Sequence, residues 1–293
     1  MVSFKRMNEC QLDEVVQVWN EGFKGYFFDA TMTVEMFLNR LVLEELSPTL
    51  SFVAYQDQRP VGIVLNGIRE IEGRKIAWNG GTAVVEAYRG AGVSGKLMDY
   101  ALQVYREEQV ELAMLEAISE NERAIRLYKG KGYNTIDNIL YLSSDQVLQE
   151  LIAAGKREYS CQHGTAQDVK KYAALIPWQS QWGNFRRDGE TLLVHEDGRL
   201  IAYALFKRTY NADGIPNGVT VAQVQVLEER GDRQQLLSFL LSKTLYPERE
   251  SFKRTMPVLA SDSEWVQTLQ NLGFKQTLSQ VWMTRELGTE AEG

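Results

Sequence analysis

The sequence predicts an α/β (α+β) protein made of two tandem, similarly built domains, each a mixed, mostly antiparallel sheet flanked by helices. Three observations predict it. The chain has 293 residues, more than one typical globular domain requires. Segments of strand and helix periodicity in the first half run β-α-α-β-β-β-α-β-α-β, an order that a purely alternating parallel fold would not give. Two separate stretches of the first half also recur in the second at nearly one spacing.

The first half opens on a short strand, Val2–Arg6. Leu12, Val15, Val16 and Trp19 recur at helical spacing and predict a helix over Gln11–Phe23. A second helix, Val34–Leu46, is stopped by Ser47-Pro48, because proline has no N–H to continue the ladder and disfavours helical backbone before it. Ser51–Tyr55 and Pro60–Asn66 read as a hairpin turning through residues 56–59, and Ile76–Val85 as a further apolar strand. A glycine-rich turn then leads into a helix over Gly92–Glu107, a strand over Leu112–Ile118, a helix over Asn121–Lys131 and a strand near Ile139–Leu142. The expected division is 1–143 for the first domain, 144–157 for a connecting segment with a helix over Val147–Ala153, and 158–293 for the second. The acidic tail after Leu287 is expected to be disordered.

The second domain echoes the first. Phe52–Gly62 is repeated as Leu192–Ala202, with Asp57 and Arg59 matched by Asp197 and Arg199 at an offset of 140 residues. Lys131-Gly132-Tyr133 is repeated as Leu272-Gly273-Phe274 at an offset of 141. Matching offsets from separate places point to a degenerate duplication.

Composition limits the function. Apolar residues make up 44% and charged residues 24%, the balance of a folded protein with real cores. No apolar run reaches the roughly 18–20 residues that cross a bilayer, and residues 1–6 lack the apolar region of a secretory signal. Cys10 and Cys161 form no metal or redox motif. A cytoplasmic protein with no membrane association and no metal is the expectation. The net charge of −7, from 32 basic and 39 acidic residues, argues against a nucleic-acid partner, which calls for a basic footprint. It leans toward a cationic substrate. With only His163 and His195, histidine-based catalysis has little to work with.

The informative segment is Tyr88–Leu97, where Arg89-Gly90-Ala91-Gly92-Val93-Ser94-Gly95 joins a strand to a helix. Glycines there let backbone N–H groups approach a phosphate at the positive end of the helix, or simply supply a tight turn with positive φ. Three phosphate-binding patterns compete. A Walker A loop would place Ser or Thr after Lys96, and the residue is Leu97. Gly90-x-Gly92-x-x-Gly95 matches the dinucleotide fingerprint, with Glu116 about 20 residues on where a ribose-binding acid belongs. Yet residues 86–89 separate the loop from the apolar strand, and it follows about four strands and two helices with no alternating array after it.

The third pattern is the one this segment resembles most: Gln/Arg-x-x-Gly-x-Gly/Ala, the signature of the Gcn5-related N-acetyltransferase (GNAT) superfamily, with Ser94 as the departure at the last position. Residues 115–133, with Leu115-Glu116, Asn121, Ala124, Leu127-Tyr128 and Gly132-Tyr133, are similar to the closing motif of the same superfamily. The two signatures stand in the expected order and cover about residues 76–142. The resemblance implies two tandem GNAT-like domains and transfer of an acetyl group from acetyl-CoA, as cosubstrate, to the amine of a small molecule or peptide acceptor. Val84, Val85, Arg89, Gly90, Ala91, Gly92, Val93, Ser94 and Gly95 would hold the cofactor, and Asn121 its pantetheine arm. Tyr128 would protonate the departing thiolate, and Glu116 would act as the base, with Glu86 and Glu21 as rivals.

Each residue also has a structural reading. Asn121, Ala124 and Tyr128 share one helix face at i, i+3 and i+7, so Asn121 can serve as a cap beside a Ser119-x-x-Glu122 capping box and Tyr128 as a core aromatic. Glu116 can be a strand-end carboxylate bonded to neighbouring backbone. Two other functions stand beside the enzyme: a non-catalytic acyl-CoA sensor, and a nicotinamide dinucleotide oxidoreductase. In the second half the loop reads Leu227–Gln234, with Glu228, Glu229 and Asp232 set to repel a pyrophosphate. Asp262 and Leu269 replace Asn121 and Tyr128. That half is expected to be structural or to shape the acceptor side, where Trp178 and Trp182 either line a groove or are buried.

Overall fold

The computed structural model describes residues 2–154, 158–172 and 174–288. Residues 155–157 of the expected connecting segment and the acidic tail beyond Gly288 lie outside the described residues. The chain divides into two units, Met1–Ile136 together with Val281–Gly293, and Asp137–Gln280.

In chain order the first unit contributes β1 (Val2–Arg6), α1 (Leu12–Gly22), α2 (Val34–Leu43), β2 (Phe52–Gln56), β3 (Arg59–Ile71), β4 (Arg74–Val84), α3 (Val93–Glu107), β5 (Leu112–Ile118) and α4 (Glu122–Gly130), and then enters β6 (Asn134–Ser144). β1 to β4 pair antiparallel in sequence order, and β4 pairs parallel with β5. The β2–β3 turn places Asp57 and Gln58 at φ 52° and 64°, the left-handed pair that a two-residue hairpin requires. Glu72 and Gly73 do the same at φ 52° and 76°, so β3 and β4 form one long hairpin. The sequence predicts two shorter strands there, because residues 69–75 are mostly charged and Ile71 is the one apolar residue among them.

Helix α3 organises the core. Leu97, Met98, Ala101, Leu102, Val104 and Tyr105 are all buried, a stripe at the helical repeat that faces Val61, Val64, Ala77, Ala113 and Leu115. Each fully buried leucine of this kind contributes about 1.5–3 kcal/mol. Val281, Met283 and Leu287 join the same cluster.

The second unit continues with α5 (Gln149–Ala154), β7 (Cys161–Thr165), β8 (Glu190–Glu196), β9 (Arg199–Tyr210), β10 (Pro216–Val226), α6 (Arg233–Thr244), β11 (Lys253–Leu259), α7 (Ser263–Asn271) and β12 (Lys275–Glu286). Its strands lie in the order β6-β11-β10-β9-β8-β7. The last residues of β12 belong to the first unit, beside β5, where Leu287 N–H donates to Glu111 O at 2.8 Å. Three short 3-10 turns, including Trp178–Ser180 and Trp182–Phe185, stand where the first unit has α1 and α2. Trp178 is fully buried, so it is a core residue.

The duplication is visible in backbone detail. Asp197 and Gly198 take φ 50° and 76°, as Asp57 and Gln58 do. Asp262 caps α7 by accepting from Trp265 N at 3.2 Å, and Asn121 caps α4 by accepting from Ala124 N at 3.1 Å. Gly132 and Gly273 sit at φ 79° and 86° just past the two helices, where glycine relieves the left-handed backbone.

Candidate active site

The parallel pairing of β4 with β5 runs from Ile76↔Leu112 to Asn79↔Leu115. Past that point a cavity of about 530 Å³ is lined by Thr82, Ala83 and Val84 of β4, the glycine loop, Asn121 and Tyr128 of α4, and Phe23, Tyr26 and Phe27 from the segment after α1. All of these residues belong to the first unit.

The loop forms one end. Gly90 and Gly92 have φ 87° and 77°, and Gly92 is the N-cap of α3. A Cβ built on Gly90, Gly92 or Gly95 would meet nothing within 4 Å, so these glycines leave the loop open on its cavity side. The first helical bond runs from Lys96 N–H to Gly92 O at 3.3 Å, and the N–H groups of Val93, Ser94 and Gly95 therefore project from the helix start. No acidic residue lies in the first turn of α3. Donors, dipole and lack of opposing charge together make an anion cradle.

Arg89 does a different job with its side chain. Its Nε donates to Val84 O at 3.0 Å, and its Nη2 to Gly22 O at 3.0 Å and Lys24 O at 3.1 Å. It ties the end of α1 to the end of β4. Val85 N–H donates to Val61 O at 3.0 Å, which commits it to the hairpin; alternation then turns the N–H of Val84 toward the open side of the strand.

Asn121 caps α4, and the helix begins at Glu122; the cap is Asn121 and not Ser119. The Asn121 side chain also hydrogen-bonds the Tyr26 hydroxyl. Tyr128 is buried, with its ring centroid 6.2 Å from that of Tyr133. Burial pushes its phenol up to about 12, offset in part by a hydrogen bond from Thr82. Burial likewise raises Tyr26. Glu116 accepts from Trp78 Nε1 at 2.5 Å across the β4–β5 pair.

Of the residues singled out in the sequence, Val84, Arg89, Gly90, Gly92, Ser94, Gly95, Asn121 and Tyr128 line the one cavity. Val93 points its side chain into the core, Ala91 is exposed, and Val85 and Glu116 stand outside the lining set. Glu21 is bonded by Gln17 and, like Glu86, stands outside that set. Sequence reasoning missed Tyr26, Thr82 and Trp78. The pair Gly80-Gly81 inside an apolar strand was the available signal, since glycines there mark a bulge or a close approach.

The second unit has a smaller cavity, about 210 Å³, lined by Gln223, Val224 and Gln225 of β10 and by Asp262, Trp265 and Thr268. Trp265 stands where the first unit has Ala124. Asp232 is the N-cap of α6, and its carboxylate is held by Arg230 at 2.9 Å and Tyr159 at 3.2 Å. A carboxylate thus stands at the start of α6, bonded to Arg230 and Tyr159 and not to the helix N–H groups, and its charge opposes a phosphate there.

Residues 12–133 match the acetyltransferase (GNAT) family. N-alpha-acetyltransferase 30 of Saccharomyces cerevisiae is 30% identical over 94 residues, which are 29% of this chain and 52% of that protein, so the chain spans about half the length of this curated relative. Among solved structures, a tandem GNAT protein from the clavulanic acid biosynthesis pathway superposes with a TM-score of 0.65 at 15% identity, over 99% of this chain and 100% of that one. A glucosamine N-acetyltransferase region of a fungal multi-domain GH3 β-N-acetylglucosaminidase superposes with a TM-score of 0.66 at 20% identity, over 97% of this chain and 38% of that one. At these identities the structural likeness shows the fold. Residues 12–133 are thus similar to the acetyltransferase (GNAT) family, and the chain as a whole has the fold of tandem GNAT proteins.

Proposed function

We propose that the first unit transfers an acetyl group from acetyl-CoA to an amine by direct attack, with no covalent enzyme intermediate. The observation that carries this reading is that the α3 anion cradle and the Tyr128 phenol line one cavity. The residues fit the cosubstrate. Val93, Ser94 and Gly95 offer N–H groups to a pyrophosphate, the open side of β4 at Val84 offers an amide edge to the pantetheine arm, and Tyr128 lines the same cavity. Acetyl-CoA, when bound, supplies the activated acyl carbon.

Direct attack needs a neutral amine and a proton for the thiolate that leaves. Tyr128 is protonated at neutral pH, since its phenol is raised to about 12, and it can donate. Glu116 takes the amine's proton in this reading, held in place by the Trp78 indole and working through water because it stands outside the lining set.

The test is release of free thiol from acetyl-CoA by purified protein across an amine panel. The panel includes peptide N-termini and an amino sugar, after the names of the two relatives, together with polyamines and free lysine. Turnover with at least one amine is expected; no thiol release above the uncatalysed rate with any of them would turn the reading toward a sensor. Calorimetry should show acetyl-CoA binding with a Kd of about 1–100 µM, in the usual range for enzyme substrates, and no binding of NAD(H); the reverse pattern would remove the reading of the loop. Because the Asp232 carboxylate stands at the start of α6 and opposes a phosphate there, one CoA per chain is expected. A stoichiometry of two would mean that the second unit also binds it.

A further inference from the structure

The end of α1 is set directly on β4. A Cβ on Gly22 would stand 2.7 Å from Ala83 Cβ, an approach that a side chain would block. Arg89 Nη2 donates to Gly22 O and Lys24 O and holds the chain there. Gly25, at φ 73°, then turns the backbone. Beyond the turn the chain is tied back to α1. Trp19 Nε1 donates to Ala30 O at 2.9 Å, and the Asn20 amide pairs with both backbone groups of Met32 at 2.9 and 3.0 Å. Residues 23–29 therefore form a loop fixed at both ends beside the candidate cavity.

That loop presents aromatic rings. Phe23 packs on Trp19 with ring centroids 4.2 Å apart. Tyr26 meets Phe23, Phe27 and Phe28 in near-perpendicular contacts, with centroids 5.1, 5.1 and 5.3 Å away. Phe23, Tyr26 and Phe27 line the cavity, and Phe27 and Phe28 remain half-exposed. Half-exposed rings in a fixed loop are surface that a bound apolar group would remove from water. Position along β4 separates this wall from the phosphate end. Val84 adjoins the glycine loop, whereas Phe23 Cζ lies 3.8 Å from where a Cβ on Gly81 would stand, three residues farther from that loop.

Charge distinguishes the amines that such a wall would take. Among the described residues that line the cavity, only Arg89 and Arg123 are charged, and no carboxylate is present. The Arg89 guanidinium is taken by the carbonyls of Gly22, Lys24 and Val84. Arg123 is exposed in the first turn of α4. A second ammonium group on the acceptor would thus meet a like charge and no partner of opposite sign. We propose that the acceptor is a primary amine with an uncharged, apolar body, seated on Phe23, Tyr26 and Phe27. The inference rests on the acetyl transfer proposed above and names the acceptor class for it. Ring faces also attract cations, so a polyamine is the rival to be separated.

The experiment measures kcat/KM by thiol release from acetyl-CoA for n-alkylamines from propyl to octyl, for phenethylamine, and for diaminoalkanes of matched length. The alkylamines share one nitrogen chemistry, so their trend reports the body of the acceptor. kcat/KM is expected to rise about fourfold for each methylene that the rings cover, from the transfer free energy of that group. Phenethylamine should stand with the longer alkylamines. A diaminoalkane should fall about tenfold or more below the alkylamine of equal length, because its far ammonium must leave water. Phe27→Ala should reduce the octylamine-to-propylamine ratio about tenfold, and Phe27→Leu, which keeps apolar bulk, should restore most of it. Both replace a half-exposed side chain, and thermal melts check the fold. An absence of chain-length dependence, or a diaminoalkane equal to its alkylamine or better, overturns the inference and leaves acetyl transfer standing. So does turnover confined to other amines of the panel, or an unchanged ratio in folded Phe27→Ala. An equal loss by Phe27→Ala on every amine, with CoA binding weakened, assigns the wall to the cosubstrate and also overturns it. No thiol release with any amine removes the acetyl-transfer reading and the inference with it.

Discussion

Gly92→Glu is expected to abolish acetyl-CoA binding, weakening it beyond about a hundredfold, while the protein still folds. Gly92 is the N-cap of α3 at φ 77°, and it lines the cavity. A side chain added there meets no protein atom within 4 Å at its Cβ, so it extends into the space before the helix. A carboxylate in that place competes for the N–H groups of Val93 to Gly95 and opposes the charge of a pyrophosphate. The fold bears only the cost of a left-handed backbone at a non-glycine residue, about 1–2 kcal/mol. Gly92→Ala carries the same backbone cost without the charge and should weaken binding far less. Calorimetry with CoA, beside thermal melts of both variants, separates the two effects. Normal CoA binding by a folded Gly92→Glu would place the pyrophosphate elsewhere.

The parts of this site that were legible in the sequence are those whose signal is local. A helix start with glycine at left-handed φ, a cap at Asn121 and a tyrosine seven residues on along one helix face are all set by neighbours within a few turns. The same holds for the turns at Asp57 and Asp197, whose matching φ values restate the repeat read from the letters. Long-range placement was not legible. Tyr26 reaches Asn121 from a segment whose composition reads only as an aromatic loop. Arg89 looks like a phosphate ligand in a signature of phosphate-binding type, yet its donors are engaged by the carbonyls of Gly22, Lys24 and Val84. The pairing of β12 beside β5 joins residues far apart in the chain, and nothing at Val281, Met283 or Leu287 announces which core they complete. A linear cut at residue 143 would therefore take three buried side chains from the first unit's own core.

Tyr128→Phe is expected to lower turnover by about 10²–10⁴-fold, the usual scale for loss of general acid catalysis, with CoA affinity close to wild type. The substitution removes one oxygen and keeps a ring that is buried and packed near Tyr133. The oxygen's partner, Thr82, retains its bonds to Asn79, so the expected stability cost is no more than about 1 kcal/mol. The pH dependence gives a second check. Because burial raises the phenol to about 12, Tyr128 stays protonated across neutral and mildly alkaline pH and sets no limb of the profile there. Wild type and Tyr128→Phe should then differ by a constant factor between about pH 6 and 9, and both profiles should follow the ionisation of the amine and its base. A variant whose deficit disappears as pH rises would assign the tyrosine to the amine's deprotonation instead. An unchanged single-turnover rate would mean that Tyr128 only packs against the core, and that the thiolate leaves without a proton from this side chain.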